Sequence, residues 1–160
     1  MARNKAPRPV RRAVRGKLLA EELLSDDSWV LITATAFAIV EPGGEVKVER
    51  PWHEVATGEW DGERHIMTVT WVDGSRPTRL KTVDESPITF PRIFKERVDA
   101  SVVYSETLPV PGGELRGALR RTPTGELISQ ISSDTALQST PDLENQIAEL
   151  EQKLWEFVGI

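Results

Sequence analysis

The chain of 160 residues contains no cysteine, which excludes disulfide bonds, thiolate zinc sites and a cysteine nucleophile. Histidine is scarce, with only His53 and His65 present. Two histidines offer little choice of general base, and no G-x-S-x-G sequence marks a serine nucleophile. We therefore expect a protein that is not an enzyme and uses no cofactor. An enzyme with an unrecognised site is the alternative.

Metal-binding and phosphate-binding motifs are also missing. His53 and His65 have carboxylates nearby in sequence, but neither spacing matches a ligand motif, so we expect no metal site. The glycine pairs Gly43-Gly44 and Gly112-Gly113 each follow a proline and precede a glutamate. Because the Lys-Ser/Thr of a P-loop is absent, we interpret both pairs as turns.

No apolar stretch has the length that a bilayer-spanning helix needs. The longest, residues 29–40, falls short of the roughly 20 residues required. The N-terminus lacks the apolar segment of a secretory signal. With 39% hydrophobic and 28% charged residues, the composition is typical of a globular protein. We expect a cytoplasmic protein without a transmembrane segment.

Acidic residues are absent from the first seventeen positions, which carry seven basic ones. The remainder has thirteen basic and twenty-five acidic residues, a net charge of −12. Few apolar residues precede Val10, so we predict a flexible basic arm over residues 1–16. Lysine and arginine attract phosphate, so this arm predicts non-specific binding to an anionic membrane or RNA. The alternatives are a solubilising tail and an arm folded against its own acidic body. The candidate polyanion-binding residues are Arg8, Arg11, Arg12, Arg15 and Lys17.

Strand and turn signals dominate the next part of the chain. Residues 29–40 are apolar and rich in β-branched side chains, which predicts a buried strand, and the turn-forming residues 25–28 precede them. Residues 17–24 favour helix by intrinsic propensity. The turn that follows makes a hairpin between 17–24 and 29–40 the preferred interpretation, with helix for 17–24 as the alternative.

A second group of strands and a helix follow. Residues 65–72 predict a strand that ends at the hairpin dipeptide Asp73-Gly74, and 76–83 predict a more polar strand. Apolar side chains then recur at helical spacing, which predicts a helix over 91–104; they are Phe90, Phe94, Val98 and Val102. A further hairpin is predicted over 114–132. We expect tryptophans of the central strands to fill the core; they are Trp52, Trp60 and Trp71.

The C-terminal segment has the most regular pattern in the chain. Thr140 and Pro141 form a strong helix start, as N-cap and first helical residue. Apolar residues then repeat at alternating steps of four and three, which is too short a seam for a free coiled coil. This stripe should pack on its own domain or on a partner, either another protein or a second copy. The candidate partner-binding residues are Leu143, Ile147, Leu150, Leu154, Trp155 and Phe157.

The order of these elements resembles a family of actinobacterial proteins with a pleckstrin-homology-like domain. The likeness covers residues 17 to about 132 and rests on order and spacing. Its segments are WVLITAT at 29–35, RPW at 50–52, EV at 54–55, EWD at 59–61, ERV at 96–98, ASVV at 100–103 and LRR at 119–121. The resemblance supplies no catalytic motif, and a shared fold indicates function only weakly.

This resemblance implies an α+β fold in which a partly open antiparallel β-barrel is capped by a helix, with an extra hairpin and a C-terminal helix added. The corresponding domains are the arm over 1–16, a β-rich domain over 17–135, and a linker with amphipathic helix over 136–160. Together with the apolar stripe and the missing catalytic motifs, it favours a non-enzymatic binding or adaptor module for protein–protein interaction. Recruitment to a polyanion through the arm is the alternative function.

Overall fold

The computed structural model describes residues 5–133 and 135–159, which form an α+β fold. Their contacts divide the chain into two compact units, one up to Asp99 and one from Ala100. The predicted domain 17–135 is thus shared between the two units. Within the described residues, no helix combines the length and apolar character that crossing a membrane requires.

The first unit begins with a short helix, α1 (Arg8–Arg11). A four-stranded antiparallel sheet follows in the order β1-β2-β3-β4, with β1 (Ala20–Leu23), β2 (Trp29–Ile32), β3 (Ala36–Val40) and β4 (Val46–Pro51). Both β2 and β3 are almost wholly buried because each face of this sheet is covered by a hydrophobic cluster. Val30 and Phe37 belong to one cluster, and Leu31 and Ala38 belong to the other.

A 3-10 turn over Trp52–Glu54 leads into the unit's second antiparallel sheet, which has the order β5-β6-β7. Its strands are β5 (Val55–Asp61), β6 (Ile66–Trp71) and β7 (Thr78–Lys81), and helix α2 (Thr89–Ser101) follows.

Aromatic side chains fill the larger core of the first unit. The Trp71 ring stacks on Phe37 at 5.5 Å, and Trp52 meets Phe94 edge-on at 5.2 Å. Gly58 permits the close approach of Phe94, because a Cβ at this position would overlap the ring. The core positions predicted for Trp52 and Trp71 are confirmed, and Trp60 packs against the same cluster while half-buried.

The second unit is a three-stranded antiparallel sheet with a helix on one face. The strands are β8 (Val102–Val110), β9 (Gly113–Arg121) and β10 (Leu127–Ser133) in the order β10-β9-β8, and the helix is α3 (Pro141–Phe157). Gly117 lies beneath α3, where a Cβ would approach Leu154 Cδ1 to 2.9 Å and Leu150 Cγ to 3.0 Å. The glycine therefore lets the helix sit close to the sheet.

The α+β class, the antiparallel strands, the central helix and the C-terminal helix are confirmed. The described residues form three separate sheets and no closed barrel. The hairpin between residues 17–24 and the following strand is also confirmed, because β1 pairs with β2.

Two predicted elements have different bounds in the structure. The single strand over 29–40 is wrong, since the chain turns at Thr33, whose hydroxyl donates to the Ala36 carbonyl at 3.1 Å. The helix over 91–104 begins earlier, at Thr89, and ends at Ser101. Val102 and Tyr104 instead pair with Arg120 and Leu119 in the sheet, as suits β-branched and aromatic side chains.

Candidate functional site

The basic arm is packed against the four-stranded sheet. Val10 is 0% exposed and Ala6 is 5% exposed, and both lie against the cluster that contains Leu31 and Ala38. Pro9 fits the first turn of α1, where a backbone N–H has no intrahelical partner. Ala13 and Val14 pack partly buried against the same cluster, so small apolar side chains attach a segment that also carries several positive charges.

The arm contacts the sheet at two places, through hydrogen bonds at β1 and through close packing before β4. On β1, the Glu21 carboxylate accepts from the backbone N–H of Ala6 at 3.0 Å and from Arg11 Nη2 at 3.0 Å. Near β4, the Pro9 carbonyl lies against Gly44, where a Cβ would come within 2.7 Å of the oxygen. Gly44 also has φ +99°, a conformation that favours glycine.

The predicted flexible arm is therefore corrected for residues 5–16, while residues 1–4 lie outside the described residues. The arm folds against its own body, the alternative that the uneven charge distribution left open. The fully docked apolar residues of the arm are Ala6 and Val10, but Ala6 lies outside α1, so no regular helical spacing marks the pair in the sequence. Two isolated apolar residues are too few to predict a core contact without the structure.

Docking leaves most of the arm's positive charges exposed. Arg11 is paired with Glu21, so this predicted polyanion-binding residue already has a carboxylate partner. Within 5–133 and 135–159, no ion pair is formed by the other basic residues of the arm, all of them exposed. We call these five the arm cations; they are Lys5, Arg8, Arg12, Arg15 and Lys17.

An open cavity of about 270 Å³ lies between the arm and strands β2 to β4. We call it the arm cavity. Ala13, Val14 and Arg15 contribute the arm side. The sheet side contains apolar residues together with Thr33, Thr35 and Glu49. Sequence reasoning missed this cavity because it requires the arm to be docked.

The predicted apolar stripe on α3 packs against the sheet of the second unit. Thr140 caps the helix as predicted, since its hydroxyl accepts from the Leu143 N–H at 3.1 Å. Leu150 and Leu154 are 0% exposed. Leu143 and Ile147 pack partly buried in the same cluster as Leu150, so the structure corresponds to docking on the chain's own domain.

The end of α3 keeps some apolar surface exposed. Trp155 is half-buried, and Phe157 is 55% exposed while its ring stacks on Tyr104 at a centroid distance of 4.1 Å. Of the six candidate partner-binding residues, these two therefore present the apolar surface nearest to the C-terminus.

A buried arginine in the second unit was not anticipated. Arg120 is 3% exposed, and burial lowers its pKa to about 10. Its Nη2 donates to Ser101 Oγ at 2.7 Å, and its Nη1 donates to Gln130 Oε1 at 3.2 Å. Ser101, Arg120 and Gln130 all belong to the second unit, so these bonds join β9 to β10 and to the residue directly before β8. Arg120 stands beside Arg121, which is exposed, and nothing in the local sequence distinguishes the buried arginine from its neighbour.

A charged network surrounds Arg50 in the first unit. Its Nε donates to Glu54 at 2.9 Å, its Nη2 donates to Asp73 at 2.9 Å, and its guanidinium lies 4.0 Å from the Trp71 ring centroid. Hydrogen bonds from the Ser75 hydroxyl and backbone N–H, followed by Arg50, lower the Asp73 pKa to about 2. Because the charged groups are paired with one another, we interpret the network as one that stabilises the fold.

The two histidines lie apart from any metal-ligand cluster. His53 is in the 3-10 turn and His65 precedes β6. Among the described residues, no group of three or more histidine, aspartate or glutamate side chains could hold a metal ion. The arm and its cavity are therefore the arrangement with the most evident binding chemistry.

Comparison with known proteins gives no relative for this chain. No family model matches it, and neither the curated proteins nor the solved structures include a significant match.

Proposed function

We propose that the protein is a non-enzymatic binding module whose docked arm binds a polyanion. The observation that carries this proposal is the set of arm cations, which are exposed and have no ion pair in the described part of the chain. Phosphate groups of RNA or of an anionic membrane are the matching ligands.

Docking of the arm strengthens the proposal. Binding by a disordered basic tail must first overcome the entropy lost when the tail becomes ordered. Ala6 and Val10 already hold this segment on the sheet, so a polyanion would meet charges on a fixed backbone. The contact should be with phosphate alone, because the arm contains no aromatic residue on which a base could stack.

We also propose the type of domain and the location of the protein in the cell. The likeness to pleckstrin-homology-like proteins of actinobacteria favours a binding domain over a catalyst, although fold analogy is weak support for function. We propose a cytoplasmic location as well, where RNA and the inner membrane surface are both accessible.

The proposal is tested by removing charge from the arm. Substituting Arg8, Arg12 and Arg15 by glutamine should weaken binding to single-stranded RNA or anionic vesicles about tenfold or more at low salt. Filter binding and vesicle sedimentation measure the two, each at low and high salt. Binding by the unchanged protein should itself fall as salt rises.

A matched control removes three exposed arginines elsewhere in the same unit. Arg64, Arg76 and Arg79 are exposed, so their triple glutamine variant changes the net charge equally without touching the arm. Equal losses in the two variants would show that only net charge matters. Absence of binding to both probes at low salt would remove the proposal.

A second candidate function is protein binding through the end of α3, which the exposed Phe157 ring favours. Aromatic side chains of this kind are enriched at interfaces. If a second copy binds here, Phe157→Ser should shift a concentration-dependent sedimentation coefficient toward the monomer. Gln152→Ala, on the exposed part of the same helix, should leave it unchanged.

A further inference from the structure

We propose that the arm cavity binds a small zwitterion, whose anionic group contacts Arg15 and whose cationic group contacts Glu49. The two side chains line the same open space of about 270 Å³, together with Thr33 and Thr35. Arg15 is also one of the arm cations, but this inference does not depend on polyanion binding, because it requires Glu49, a residue of opposite charge.

Strand register explains why a cavity exists at this place. Leu31 lies opposite Ala38, and Ala38 lies opposite Glu49, so the three side chains form a row on one face of the sheet. The middle position is an alanine, and Ala36 stands two residues before it on the same face. Ala13 faces them from the arm. Three methyl side chains leave a space that larger residues would fill.

The charges of the cavity select the type of ligand. Arg15 and Glu49 are both exposed, and neither forms an ion pair within the described ranges 5–133 and 135–159. A simple anion would be repelled by Glu49, and a simple cation would be repelled by Arg15. A molecule with one group of each sign satisfies both residues.

The size and walls of the cavity limit the ligand further. Ligand pockets commonly have volumes of about 300–1,000 Å³, so this cavity suits a molecule of amino-acid size. Ala13 and Val14, both partly exposed, give it an apolar part that can contact a short aliphatic chain between the two charged groups. Thr35 adds an exposed hydroxyl. We therefore expect ω-amino acids with a short methylene spacer to be good probes.

The test titrates the full chain with glycine, β-alanine, 4-aminobutyrate and 6-aminohexanoate, using saturation-transfer NMR and chemical shifts. Butyrate and butylamine serve as probes with a single charge. The expected result is that one spacer length binds about tenfold more tightly than either singly charged probe. If no amino acid binds at millimolar concentration, or if the singly charged probes bind equally well, the inference is overturned.

Two charge-neutralising variants connect the binding to the cavity. Arg15→Gln and Glu49→Gln should each weaken binding of the preferred amino acid about tenfold. Both residues are exposed, so the variants should fold, which thermal unfolding can verify. Glu45→Gln, an exposed glutamate in the turn of the same hairpin, is the matched control and should bind as the unchanged protein does. An equal loss in this control, or unchanged binding in Glu49→Gln, would contradict the assignment.

Discussion

The two units cover their sheets in different ways. In the first unit, strands β2 and β3 are buried along their length because a core lies on one face and the arm lies on the other. In the second unit, β9 alternates between buried and less buried residues from Leu115 to Leu119, and α3 packs on the face that contains Leu115. A strand covered on both faces needs an unbroken apolar sequence, whereas a strand with one apolar face needs only every second residue.

The two covering segments should also differ in strength. Helix α3 spans Pro141–Phe157 and buries Leu150 and Leu154 completely. The arm instead buries Ala6 and Val10, with Ala13 and Val14 partly buried against the same cluster, and these small side chains carry less apolar surface. Because stabilisation rises with the apolar area removed from water, removing contacts of α3 should have the larger effect. The following predictions test this difference.

The largest effect is expected for Leu150→Ala. The Leu150 side chain is 0% exposed and packs with Leu115 and Val110, so its truncation leaves a cavity between helix and sheet. The free energy of unfolding should fall by about 2–5 kcal/mol. Urea denaturation measures the change, and hydrogen exchange should locate it in β9. Gln152→Ala, on the exposed part of the helix, should change stability by less than about 0.5 kcal/mol. A loss similar to that of the control would mean that α3 contributes little to this unit.

Gly117→Val should have the next largest effect, because it adds volume beneath α3, where even a Cβ would come within 2.9 Å of Leu154 Cδ1. Overpacking of this kind costs about 1–3 kcal/mol. Thermal unfolding would show the change as a lower Tm. Gly43→Ala is a suitable control, since no atom lies within 4 Å of the added Cβ. If Gly117→Val were as stable as the unchanged protein, the close packing of helix and sheet would be wrong.

Val10→Ala tests the attachment of the arm, which should be weaker than that of α3. Val10 is 0% exposed, and losing two methyl groups should reduce the stability of arm docking by about 1.5 kcal/mol. The arm should then detach more often, so trypsin should cleave after Arg12 and Arg15 faster than in the unchanged protein. Val46→Ala, at a position that is 40% exposed, should leave the cleavage rate unchanged. Unaltered cleavage of the Val10 variant would show that other contacts hold the arm.

This contrast also explains which elements could be predicted from the sequence. The apolar segment 29–40 reveals burial because both faces of its strands are covered, yet Thr33 divides it through a hydrogen bond that composition does not display. Thr140 and Pro141 fix the start of α3 through local chemistry alone. Strand β8 was missed because Val102 continues the helical spacing of Phe94 and Val98, and only pairing with β9 decides its structure.

The candidate site was predictable in composition and not in geometry. A run of basic residues is visible in any sequence, so four of the five arm cations are among the residues that the sequence predicts for polyanion binding. The pairing of Arg11 with Glu21 joins residues that are 10 positions apart on different elements. Glu49 reaches the arm cavity only through the register of β3 and β4. Such contacts depend on the tertiary fold and leave no local pattern.

The smallest expected effect is a pH dependence of stability that arises in the first unit. Three aspartates with lowered pKa values, Asp26, Asp61 and Asp73, lie in the first unit. The Asp73 pKa is about 2 instead of 3.8, chiefly because the Ser75 hydroxyl and N–H donate to its carboxylate. A carboxylate with a lowered pKa stabilises the fold at pH values above its pKa in the unfolded chain, and this contribution is lost as pH falls from about 4 to 2.

Asp73→Asn should therefore be less stable than the unchanged protein at pH 6, and the Tm difference should shrink toward pH 2. Ser75→Ala should weaken the same pH dependence, because it removes the hydroxyl donor. A Tm difference that stays constant between pH 6 and pH 2 would show that the Asp73 charge does not stabilise the fold.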